Sequence, residues 1–292
     1  MLNKSLLKSA IQKAVRRGEV EKAIIATKYY IEIKEYQMDF ARRLPIIVLE
    51  DAILHPEYDK LVEIIKKLSK KDNFLNDKEK QFLIQIIAEL SATDTRDDFI
   101  WKNKDRNKSC DWSKLEKTER ELISAIRYRA SIGGMRDDME VLGEYAKIWG
   151  YRFSTGGMKK GDLRKYFPKI KIDYKKIKKL TIDDILLEAV DFHCSPLLNI
   201  LMKKQKVLQT ILSEYPNDTI SIEDRLKDIV WRMRSGVCGK KQIGKGRAVD
   251  WFKDDKPPRG IDKNKYKKIY SQIQKDIDSV SYWFLKKQFI NK

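Results

Sequence analysis

The sequence predicts an all-α protein, a multi-helix globular array with two basic, glycine-containing loops. Three observations point there. Apolar residues recur at three- and four-residue spacing through most of the chain, the signature of helices with one buried face. Thirteen Gly and seven Pro in 292 residues are too few for a turn-rich β-sandwich. Helix-start and helix-stop residues also punctuate the pattern where helices must begin and end.

Taken in order, Leu6, Leu7, Ala10, Ile11, Ala14 and Val15 share the face of a first helix. Arg16-Arg17-Gly18 reads as its end, with cations in the last turn and glycine just beyond. A second helix carries Ala23, Ile24, Tyr30 and Ile31. A third is expected from about Asp39, with Phe40, Leu44, Ile47 and Val48 inward and Pro45 in its first turn or kinking it; His55-Pro56 stops it. Tyr58, Leu61, Val62, Ile65 and Leu68 mark a fourth. Asp77 is the expected cap of a fifth, which buries Phe82, Leu83, Ile86, Ile87 and Leu90.

Residues 91–112 are polar and irregular and read as a linker or long loop, so the expected organisation is a helical domain over 1–95 and a basic helical domain over 96–292, with one continuous domain as the alternative. Ser113 and Glu116 form a capping-box pattern for a helix that Gly133-Gly134 ends. Met139, Leu142, Tyr145, Ala146 and Trp149 indicate the next. From Gly150 the chain changes character into a lysine- and glycine-rich stretch reaching residue 179. Thr181 and Ser221 are expected caps of later helices, the second with Asp224 three residues on. A final long helix carries Tyr266, Ile269, Tyr270, Ile273, Ile277, Val280, Trp283 and Phe284, whose aromatics are expected to belong to the core.

Charge narrows the function. The formal net charge is +19, yet residues 1–95 hold 17 Lys/Arg against 15 Asp/Glu, so nearly all the excess lies beyond them. Such a field attracts phosphate backbones. The expected binding residues sit in the two basic loops: Lys159, Lys160, Arg164 and Lys165 beside Gly156, Gly157 and Gly161; and Arg232, Arg234, Lys240, Lys241, Lys245 and Arg247, flanked by Trp231 and Trp251 for base stacking. Nucleic acid is the expected partner, DNA before RNA. No membrane partner is expected, since the longest apolar run, around Leu44–Leu49, falls far short of the roughly 20 residues a span needs.

Three widely spaced cysteines, Cys110, Cys194 and Cys238, read as free thiols in a reducing compartment, cytoplasm or nucleus, and no secretion signal is visible at the start. His193-Cys194 reads as a core pair rather than a metal or nucleophile site, because no Cys-x-x-Cys exists and adjacent residues seldom face each other. Neither a metal nor a cofactor is expected. The carboxylates Asp94, Asp97 and Asp98, then Asp137, Asp138 and Glu140, then Asp183, Asp184, Glu188 and Asp191 leave open a metal-dependent enzyme acting on nucleic acid as a second reading. A plain helical interaction scaffold is a third.

One family resemblance is visible. The run Ser9-Ala10-Ile11-Gln12-Lys13-Ala14-Val15-Arg16-Arg17-Gly18, then Ala23, Ala41-Arg42-Arg43-Leu44, Glu50-Asp51 and Pro56, resembles the C-terminal collar of the clamp-loader-like AAA+ ATPases of the RarA/MgsA group. It covers about residues 6–62. The family's glycine after Glu-Asp is replaced by Ala52, and no Gly-x-x-x-x-Gly-Lys-Ser/Thr occurs, so the ATPase core is absent. The resemblance implies an accessory of replication or repair whose N-terminus docks a replication partner or a second copy of itself. Arg16, Arg42 and Arg43 are the expected ion-pair partners of Glu50 and Asp51, fixing helix register. Two further segments look motif-like without a family: Ala125–Asp138 and Asp191–Pro196.

Overall fold

The computed structural model describes residues 4–97, 109–172, 174–177, 179–190, 195–216, 219–230, 242–243 and 263–287. It is an all-α array. The helices are α1 (Lys4–Arg17), α2 (Val20–Glu32), α3 (Lys34–Asp51), α4 (Tyr58–Leu68), α5 (Asp77–Ala92), α6 (Lys117–Ser131), α7 (Arg136–Ser154), α8 (Lys160–Leu163), α9 (Tyr174–Ile177), α10 (Ile182–Ala189), α11 (Ser195–Met202), α12 (Gln205–Glu214), α13 (Ile222–Val230) and α14 (Lys263–Leu285). A two-residue parallel pairing of β1 (Thr95–Arg96) with β2 (Gln242–Ile243) is the one departure from helix-and-loop among the described residues.

The helix ends follow local chemistry. Gly18 adopts φ 72°, and the amides of Gly18 and Glu19 return to the carbonyls of Val15 and Ala14, closing α1 as the Arg-Arg-Gly signal predicts. Thr181 and Ser221 each accept from the amide three residues on, at 3.3 and 3.0 Å. Two starts differ from expectation by a few residues. Asn76, not Asp77, caps α5, in a reciprocal box with Glu79. Glu116 and Glu119, rather than Ser113 and Glu116, form the box that opens α6.

The larger difference is α3. It begins at Lys34, with the single residue Ile33 between it and the end of α2, and keeps Pro45 in its interior. No Gly or Pro marks the break at Ile33. The buried Gln37 explains why it holds: its amide donates to the orphan carbonyl of Ile31 at 2.7 Å and accepts from the Leu75 amide at 2.8 Å. Near Pro45, which has no N–H for the Ala41 carbonyl, the Arg42 carbonyl takes the Nε–H of Arg129 at 2.7 Å.

Helix α1 lies against α2, α3, α5 and α10. Helix α4 packs between α3 and α6, and α6 and α7 form an antiparallel pair along that side. Helix α14 crosses α10, α11, α12 and α13. One apolar cluster runs through the packing from Leu7 to Leu285 and includes the fully buried Tyr30, Tyr58, Trp149 and Tyr215. The start of the expected linker is pinned: Asp97, 6% exposed, takes two hydrogen bonds from Arg152 at 2.7 and 3.0 Å, and its carbonyl accepts from Tyr145. Gly150 belongs to α7 rather than to a loop; a Cβ there would meet the Cys110 Sγ at 2.9 Å, so the cysteine packs where only glycine leaves room.

Candidate functional site

The first basic loop is a short turn rather than an open cradle. Gly156 turns the chain at φ 71°, and α8 follows at Lys160. Three of its four expected cations reach acids on other elements. Lys159 lies 3.3 Å from Glu116 and 3.6 Å from Glu119 at the start of α6. Lys160 pairs with Asp59 of α4 at 3.0 Å. Arg164 donates twice to Glu89 of α5, at 2.7 and 3.1 Å. These contacts staple the segment to the helical body and neutralise much of its field. Lys165 is exposed, with its ammonium over the Tyr166 ring.

Arg164 completes a buried polar group that sequence reasoning missed. His55 is fully buried, and its Nδ1 accepts from the Glu57 amide at 3.1 Å. The proton must then sit on Nε2, which donates to Glu89 at 3.1 Å. Phe167 packs on the ring, with centroids 4.5 Å apart. Burial pushes the His55 pKa below its ordinary value, against the pull of Glu89. Burial alone would push the Glu89 carboxyl up, but hydrogen bonds from His55, Arg164 and Gln85 outweigh it and hold the carboxyl at about 2.

The chain beyond Arg164 differs. Residues 165–179 hold seven Lys and one acid. Lys165, Lys169, Lys171, Lys175 and Lys179 are exposed. For Lys165, Lys169, Lys171 and Lys179, no carboxylate lies within ion-pair distance among the described residues. The second expected loop, with Arg232, Arg234, Lys240, Lys241, Lys245, Arg247, Trp231 and Trp251, lies outside the described residues, as do His193, Cys194 and Cys238. The last helix holds another surprise. Trp283, expected in the core, is 48% exposed, with Lys287 Nζ 4.9 Å from its ring centre and Lys286 similarly over Tyr282. Its partner-facing positions are Ile269, Ile273, Ile277 and Val280, and Trp283 falls off that stripe.

Residues of α1 and α3 meet as a network. Arg16 donates to the fully buried Asp51 at 2.5 Å. Arg43 joins Gln12 at 2.7 Å, Asp138 at 3.0 Å and Glu50 at 3.5 Å. Burial, then the neighbouring Asp51, raises the Glu50 carboxyl, while Arg16 and Arg96 overcome burial and lower Asp51. Arg42 does not join this pairing. It turns to α6–α7 and donates to the carbonyls of Ile132 and Gly133, at 3.0 and 2.7 Å. Thus Arg42–Arg43 and the motif-like Ala125–Asp138 segment, far apart in sequence, form one wall.

That wall lines a pocket of about 430 Å³ between α1, α3 and the α6–α7 turn. Its charged lining is Lys8, Arg42, Arg43 and Arg129 against Asp39 and Asp138. Lys8 pairs with Asp39 at 3.0 Å, and Arg43 with Asp138. Arg129 is 2% exposed and, among the described residues, donates only to the carbonyls of Arg42 and Gly133. Burial pulls its guanidinium below the ordinary value.

Five of the expected metal-type carboxylates are engaged elsewhere, Asp94 by Thr95, Asp97 by Arg152, Asp138 by Arg43, Glu140 by Arg136 and Asp184 by Thr181, while Asp98 and Asp191 lie outside the described residues. Among the described residues no three His, Cys, Asp or Glu side chains gather as a metal site requires, and no helix is long and apolar enough to cross a membrane. No protein-family model, characterised protein or solved structure matches the chain.

Proposed function

We propose that this protein is a nucleic-acid-associated accessory protein that grips a phosphate backbone along residues 165–179. The observation that carries the reading is the row of exposed lysines Lys165, Lys169, Lys171 and Lys179, which have no acid partners among the described residues. Backbone binding needs cations that remain available after folding, and this segment retains them where the preceding turn does not. The α1–α3 network of Arg16, Arg43, Glu50 and Asp51 supports a rigid docking surface for a replication or repair partner, or for a second copy, in line with the collar resemblance.

Fluorescence anisotropy with labelled single- and double-stranded DNA tests this. Affinity should fall steeply with added salt. Changing Lys165, Lys169, Lys171 and Lys179 together to Ala should reduce the slope of log K against log salt by about 3 to 4 on duplex DNA, at about 0.9 per phosphate contact. Salt-insensitive or absent binding of the parent chain rejects the reading. The scaffold reading, favoured by the locked cations Lys159, Lys160 and Arg164, then takes its place.

A further inference from the structure

We propose that the pocket between α1, α3 and the α6–α7 turn binds a phosphate monoester dianion of mononucleotide size, held by Arg42 and Arg129. This goes beyond the lysine row, which lies on another part of the chain. The pocket's four cations and two acids leave a formal surplus of two positive charges. Both acids are taken, Asp39 by Lys8 and Asp138 by Arg43, so the surplus belongs to Arg42 and Arg129. Neither guanidinium has a carboxylate within ion-pair distance among the described residues. Backbone carbonyls orient them without neutralising them.

Burial makes this unusual. A guanidinium 2% exposed and paired with no anion lacks the compensation that buried charges normally find. Arg129 nonetheless lines an open cavity, and its Nη2 has no hydrogen-bond partner among the described residues; neither do Nε and Nη1 of Arg42. These donors suit the bidentate recognition of a phosphoryl group. The start of α7 stands on the same wall through Gly134 and Asp138, and its cap position, Met135, makes no side-chain cap to the first-turn amides. A dianion there balances the surplus. The volume, about 430 Å³, exceeds a phosphate and suits a nucleotide-sized ester. Met135, 65% exposed at the rim, offers an apolar surface to the organic part.

Calorimetric titration of the whole chain with inorganic phosphate, adenosine 5′-monophosphate and adenosine tests this. Phosphate and the monophosphate should each saturate one site, and adenosine should not bind. Arg129→Gln should abolish the signal. Because Arg129 also braces the α6–α7 turn, Met135→Glu is the second variant. It places a carboxylate at the rim on an already exposed side chain, and should weaken the monophosphate about tenfold with an unchanged Tm. Competition by a 5′-phosphorylated oligonucleotide but not its 5′-hydroxyl twin identifies a strand end as the source of the ester; competition by neither identifies a free mononucleotide. The Lys165, Lys169, Lys171 and Lys179 variant should bind the monophosphate as the parent does, which separates this pocket from the lysine row. No saturable binding of phosphate or monophosphate, or equal affinity in the parent and Met135→Glu, overturns the proposal.

Discussion

Two neighbouring stretches, 156–165 and 165–179, are both lysine-rich, yet their cations behave differently. In the first, Lys159, Lys160 and Arg164 reach back to Glu116, Asp59 and Glu89. In the second, Lys165, Lys169, Lys171 and Lys179 face solvent without such partners among the described residues. The difference is set by acids on other helices, up to about a hundred residues away in sequence, and not by the composition of either stretch. A basic segment is available to a polyanion only where the fold supplies no opposite charge.

The sharpest way to break the comparison is Glu89→Ala. It strips the anion from a fully buried His55 and from Arg164 and should cost about 3 kcal/mol in urea unfolding. The figure sits at the low end for a buried pair because Arg164 is half-exposed. Acid titration probes the same contact with a comparable effect. The Glu89 carboxyl is held at about 2, so its stabilisation is present above the ordinary value of 4.5 and is lost as pH falls towards 2. His55 acts at higher pH: its folded pKa is lowered, so stability is full above 6.5 and declines below it as the unfolded chain takes the proton that the buried ring refuses. Glu89→Gln should flatten the lower limb of the stability–pH curve, and a profile unchanged by that substitution would show that Glu89 is not its source. A smaller effect is expected at the α6–α7 turn. Gly133 stands at φ 82°, and Gly133→Ala should cost about 1–2 kcal/mol by thermal unfolding. Smallest of all, Lys169→Ala and Lys171→Ala should each change stability by no more than about 0.5 kcal/mol while weakening DNA binding.

Most of the helical framework was legible in the sequence because its causes are local. Periodic apolar residues and the punctuation at Gly18, Thr181 and Ser221 depend on neighbours a few residues away. The misreadings came from distant causes. Helix α3 starts at Lys34 because Gln37 satisfies a carbonyl of α2 and an amide of residue 75. Gly150 looks like a loop glycine until Cys110 is placed against it. The lysines and arginine of the first loop are legible as a basic cluster, but their acid partners Glu116, Asp59 and Glu89 lie too far away in sequence to be read from it. Arg42 was expected to pair with Glu50 or Asp51 and instead braces Gly133, because α3 turns it towards the α6–α7 corner. The pocket itself was invisible for the same reason. Its two walls were recognisable as motif-like words, but only folding puts them face to face.

The ring at position 55 spans two partners with opposite needs. Near the backbone it must offer a lone pair to the Glu57 amide; at its far edge it must offer a hydrogen to Glu89. Asparagine is long enough for the first task and too short for the second, while glutamine reaches the carboxylate but withdraws from the amide. An imidazole in a single tautomer does both, and protonation of Nδ1 would turn its lone pair into a second donor aimed at an amide. The connection between α3 and α4 therefore admits no amide surrogate for histidine, and it holds its shape only while that ring stays uncharged.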